Sequence, residues 1–165
     1  MASSTHVLTV PARPNLLQAL GRLAIAHTHL ELMLRYCVKT IARLTTEEAL
    51  DATAGDRLSD LRSRIRNLFK ERKPTALERN RLDALLEKAK RLSETRNAYL
   101  HRAWSETPEG LAVTKGDHYE WESAPSDSDI EAVTSEILGL VQTLNEDRLR
   151  GFIYHVLHRL PQIHP

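Results

Sequence analysis

Arg96, Asn97 and His101 stand within six residues, RNAYLH, and together carry the groups needed to break a phosphodiester without a metal. An imidazole, with an ordinary pKa of about 6.5, can take the proton from a ribose 2′-hydroxyl or give one to a leaving oxygen. A guanidinium can donate bidentately to a phosphate and offset the negative charge that builds on phosphorus. Asn97 can orient a phosphate oxygen or the histidine. Five residues turn an ideal helix by about 140°, so Arg96 and His101 reach one small anion only if the helix end bends or a second subunit contributes. Spacing alone does not select this pair, because it recurs at Arg22 and His27, Arg150 and His155, and Arg159 and His164. Context does, because Arg96 interrupts an apolar stripe near the end of a long helix and His101 leads through Trp104 into an irregular connection.

The elements that must hold these residues are legible as periodicity. From Pro14 to Leu44, apolar residues recur at Leu16, Leu20, Leu23, Leu30, Leu34, Cys37, Ile41 and Leu44, in steps of three and four once His27 is counted. A neighbouring stripe of Leu17, Ala24, Glu31 and Val38 widens the buried face and sets Glu31 one turn after His27. His27 and Glu31 therefore read as a polar pair on the inward face, either lining a cleft or satisfying each other in the core. Thr46 starts a short helix that breaks at Gly55, Asp56 to Arg72 forms another, and Pro74 separates it from a helix beginning near Thr75. The stripe of that last helix runs Leu82, Leu85, Ala89, Leu92, Arg96, Tyr99 and Ala103. Two short runs flanking Lys115-Gly116-Asp117 predict a β-hairpin from Leu111 to Trp121. Pro125 and the SDSD run then cap a final helix from Asp127, whose register shifts near Arg148 to Gly151 and which stops at Pro161.

The expected architecture is all-α: an antiparallel bundle of four to five helices, with a small β-hairpin inserted before the last helix. Residues 1–12 read as a flexible N-terminal segment, 13–160 as one bundle and 161–165 as a tail. A chain of 165 residues is the size of one domain. No stretch approaches the roughly 20 apolar residues of a membrane span, and no leader is evident, so a soluble cytoplasmic protein is expected. Cys37, the sole cysteine, falls on an apolar face and reads as packing. Neither a zinc spacing nor a phosphate-cradling glycine loop occurs, so no metal or cofactor is expected. Net charge is +1, yet Arg57 to Arg102 holds 14 basic and 6 acidic residues, a local excess of +8. Such a segment either meets an anionic partner such as RNA or is neutralised by carboxylates elsewhere in the chain.

RNAYLH resembles the arginine, four to six residues, histidine motif of the HEPN (higher eukaryotes and prokaryotes nucleotide-binding) superfamily, in which a polar residue, often asparagine, follows the arginine. The resemblance implies a metal-independent endoribonuclease with Arg96 and His101 catalytic and Asn97 assisting. It also implies a homodimer that brings two motifs into one cleft, and a toxin–antitoxin or phage-defence setting. Many members carry a small residue after the histidine; here Arg102 stands there, as a further phosphate contact or a mark of divergence. Trp104 and Tyr99 can stack on bases or pack in the core. Two rival readings lack catalysis: a helical nucleotide-binding or protein-interaction module in which Arg96 pairs with Glu31, and a partner of a separate nucleotidyltransferase or antitoxin.

Overall fold

The computed structural model describes residues 7–8, 10–107, 110–114 and 120–159. The expected Lys115-Gly116-Asp117 turn, Leu160, the stop at Pro161, His164 and the rest of the tail lie outside the described residues, as do residues 1–6.

The described chain is mostly helical: α1 Pro14–Ala42, α2 Thr46–Ala52, α3 Leu58–Glu71, α4 Ala76–Leu100, α5 Asp127–Leu149 and α6 Phe152–His158. A small antiparallel sheet is inserted between α4 and α5, with strands β2 Trp104–Thr107, β3 Gly110–Thr114 and β4 Trp121–Ser123. The expected hairpin is present as β3 and β4, with Thr114 opposite Trp121. Two strands go beyond it: β2 pairs with β3, and β1, Val7–Leu8, pairs with β2 to give the order β1-β2-β3-β4. Val7 and Leu8 belong to the segment read as flexible, and backbone pairing to Glu106 and Ser105 is what ties them down.

Helix starts follow from local chemistry. Thr45 Oγ1 accepts the Glu48 N–H while Glu48 returns to the Thr45 N–H, and Thr75 with Glu78 repeats the exchange at α4. Ser126 and Asp129 do the same at α5, so two orphan donors are satisfied at each start. Hydrogen bonds from the Thr45 backbone and hydroxyl hold the Glu48 carboxyl below its usual range, and those from the Ser126 hydroxyl and backbone do so for Asp129.

The described residues form two compact units, Met1–His27 with Leu92–Glu136, and Thr28–Arg91 with Ile137–Pro165. The first holds the sheet, the start of α1 and the end of α4, around Leu16, Leu23, Leu92, Val113 and Ile130. In the second, Leu34, Ile41, Leu61, Ile65, Leu86 and Ile137 are fully enclosed, and the Phe69 and Phe152 rings meet edge to face at 5.9 Å. The α1 stripe is buried as expected at Leu16, Leu23, His27, Leu30, Leu34, Cys37 and Ile41. Its widening stripe is not uniform, because Leu17 is 43% exposed and Ala19 and Ala26 are buried instead. On α4 the enclosed residue is Leu86 rather than Leu85, and Ala103 lies beyond the helix. Burial pushes the Cys37 thiol up to about 12, which suits packing and not nucleophilic chemistry.

The helix expected from Asp127 onward is broken where its register shifts, at Arg150 and Gly151, giving α5 and α6. Asp147 causes the requirement for glycine there. Its buried carboxylate accepts from Arg81 Nη2 at 2.9 Å and from the Phe152 backbone N–H, and the Arg81 guanidinium lies 4.7 Å from the Phe152 ring centre. A Cβ on Gly151 would stand 2.3 Å from Asp147 Oδ1 and 2.7 Å from Asp147 Cα, and the backbone atom cannot swing aside. Gly151→Ala should therefore lower stability by about 1–3 kcal/mol, read as a shift in the urea midpoint at unchanged slope. An unshifted midpoint would contradict this packing.

Candidate functional site

Arg96 and Asn97 lie in the last turn of α4, and His101 is the first residue past its end. The His101 N–H still closes a helical bond to the Asn97 carbonyl at 2.9 Å, after which the chain departs. Departure is enforced from the sheet. The Ala103 N–H donates to Thr114 Oγ1 at 3.1 Å, the Thr114 N–H returns to the Ala103 carbonyl at 3.0 Å, and Trp104 Nε1 donates to the Tyr99 carbonyl at 3.3 Å. An α4 continued through Ala103 would lose all three.

With the helix ended there, Arg96 Nη1 donates to Asn97 Oδ1 at 2.9 Å and to His101 Nε2 at 3.3 Å. The three motif residues thus meet within one chain, by the bent helix end and without a second subunit. A guanidinium can only donate, so Nε2 is the acceptor and the proton of the neutral ring sits on Nδ1 in this arrangement. Asn97 and His101 are exposed and Arg96 is half-buried, so solvent reaches the cluster. Arg96 Nε is enclosed without a hydrogen-bond partner, a cost that a properly placed anion would remove.

Comparison with the other three Arg-to-His spacings separates this one. Arg22 pairs with Glu131 at 3.4 Å, Arg150 with Glu146 at 3.3 Å, and Arg159 with Glu78. Of the three spacings whose arginine and histidine are both described, only Arg96 turns to its histidine, and among the described residues it has no carboxylate partner.

The remaining sequence candidates have other occupations. His27 is buried and its Nε2 hydrogen-bonds the Ser93 hydroxyl at 3.0 Å, so it is a satisfied core histidine. Glu31 is half-buried on α1 and has a partner of its own. Arg102 is bound by Glu122 of β4, which makes it a clamp on the turn rather than a spare cation. Trp104 is half-buried with its indole N–H committed to the end of α4. Tyr99 is half-buried, and burial, reinforced by Asp129, pushes its phenol up. Sequence reading missed Ser93, Thr114 and Glu122. Ser93 left a signal, a polar residue beside Leu92 in an apolar stripe; the other two act across strand pairing that no local pattern shows.

A cavity of about 650 Å³ in the first unit is lined by Arg13, Leu111, Ser126 and their neighbours, and none of the motif residues reaches it. No group of three or more potential metal ligands occurs among the described residues, and no described helix is long and apolar enough to cross a membrane. Comparison with protein-family models, curated proteins and solved structures finds no match to this chain. Because the partners of Arg96 are neutral and solvent-accessible, Arg96→Ala should lower Tm by no more than about 4 °C. A larger drop in a thermal melt would show that Arg96 serves the fold.

Proposed function

We propose that the chain is a HEPN-like endoribonuclease that needs no metal, acting on RNA through Arg96 and His101 with Asn97 assisting. The observation that supports it is the convergence of a cation on two neutral acceptors at an exposed helix end. A phosphate offers charge-assisted hydrogen bonds, roughly twice as strong as neutral ones, and would draw the guanidinium from Asn97 and His101. His101 Nε2, released, could take the 2′-hydroxyl proton while the ribose oxygen attacks phosphorus. The P–O bond to the next nucleoside breaks, and the leaving 5′-oxygen takes a proton from solvent at the exposed helix end, which gives a 2′,3′-cyclic phosphate and a 5′-hydroxyl; His101 then returns its proton to solvent. Arg96 would hold the added negative charge in the transition state.

A homodimer with two such clusters in one cleft, a cytoplasmic toxin or phage-defence role, and an antitoxin partner come with the resemblance alone. One chain already brings Arg96 within reach of His101, so a dimer would multiply the site rather than complete it. A second reading, nucleotide binding without cleavage, is favoured by one feature: the lone pair a base would need is occupied by Arg96.

The test is cleavage of a single-stranded oligoribonucleotide in EDTA with product ends identified. The native chain should yield 2′,3′-cyclic phosphate ends, and His101→Ala should cut at least about 100-fold more slowly while keeping its fold. Undiminished cleavage by the variant overturns the assignment of His101; RNA binding without cleavage by the native chain establishes the second reading.

A further inference from the structure

A small cavity lies in the second unit, and none of the Arg96, Asn97 and His101 side chains lines it. Its volume is about 190 Å³, and it opens between α3 and α4. That is roughly six waters' worth of space, too small for a pocket that would enclose a whole drug-sized ligand but enough for one planar ring. Phe69 and Leu82, nearly wholly buried, close the floor. Around them stand Asn67, Lys70 and Arg79, all exposed, whose side chains make no hydrogen bond or ion pair among the described residues.

Several neighbouring cations are instead held within the chain. Arg62 is held by Glu87, Arg64 by Asp56, Arg66 by Asp83 and Glu87, Arg81 by Asp147, and Arg72 by the Ile41 carbonyl. Asp83 also lines the cavity, but its charge is met by Arg66 Nε at 2.7 Å, so it does not oppose an incoming anion. Five neighbouring guanidiniums are thus held within the chain, whereas Lys70 and Arg79, held by none of these groups, flank the same apolar slot.

We infer that this cavity binds a nucleoside monophosphate or the equivalent unit of a single-stranded RNA. The base enters the slot over Phe69 and Leu82, covering the aliphatic stems of Lys70 and Arg79. Asn67, with both donor and acceptor groups, faces the base edge, and the two cations take the phosphate. A phosphate alone would use the cations and leave the slot empty. An acidic peptide would leave the Asn67 amide unmatched.

The experiment is a titration of the isotopically labelled full chain with adenosine 5′-monophosphate and, separately, ribose 5-phosphate, followed by amide and methyl shifts. Adenosine monophosphate should shift Asn67, Phe69 and Leu82, with ribose 5-phosphate binding about tenfold more weakly, a difference of one ring's contacts. Lys70→Ala combined with Arg79→Ala should weaken adenosine monophosphate by about tenfold or more. Arg96→Ala with His101→Ala should leave these shifts in place, so the inference stands or falls apart from ribonuclease activity. Equal binding of the two ligands, indifference to the double substitution, shifts confined to residues 96–101, or tighter binding of a short Glu-Phe-Glu peptide would each overturn it.

Discussion

On a continuing helix, the side chain at position 101 would face about 140° away from the one at 96, and the two could not share a ligand. Their meeting depends on α4 ending at Leu100, and the sheet supplies the reason. Thr114 takes both backbone groups of Ala103, and Glu122 takes the Arg102 guanidinium. The Trp104 indole N–H satisfies a carbonyl that the helix end would otherwise leave open. These contacts are individually worth about 1 kcal/mol. Acting together over residues 102–104 they fix one backbone path, and that path delivers the His101 ring to Arg96.

The same economy of charge runs through both units. Arginines are abundant, and five of those in the basic segment meet a carboxylate: Glu87 serves two of them, and Asp56, Asp147 and Glu122 one each. Whether partly buried, as at Arg62 and Asp147, or more open, as at Arg64, these pairs cancel charge that would otherwise attract anions indiscriminately. Against that background a cation resting on an amide oxygen and a neutral imidazole stands out. Its partners offset none of its charge, so an anion gains by replacing them.

The helices could be read from the chain because their causes are local. Thr45, Thr75 and Ser126 each have an acidic residue three positions on, and the α1 stripe from Leu16 to Ile41 keeps its period throughout. The register shift near Gly151 marked a true break, although not its reason, which is the Asp147 carboxylate packed where a Cβ would go. The end of α4 could not be read, because no glycine or proline stands there and the stop comes from strand partners up to twenty residues away. The site was half legible for that reason: Arg96, Asn97 and His101 were visible as residue types in an unsuitable place. That Ser93 satisfies His27 and Glu122 occupies Arg102 required the tertiary structure.

The central claim is that Arg96 rests on an unprotonated Nε2 of His101, poised to exchange that neutral acceptor for a phosphate. Long-range ¹⁵N–¹H spectra of the imidazole groups test it directly, at a pH where His101 is neutral and with Arg96→Ala as the reference. The account predicts that His101 carries its proton on Nδ1 in the native chain and relaxes toward a mixture of tautomers in the variant. A native His101 protonated on Nε2, or a tautomer indifferent to Arg96, would contradict it.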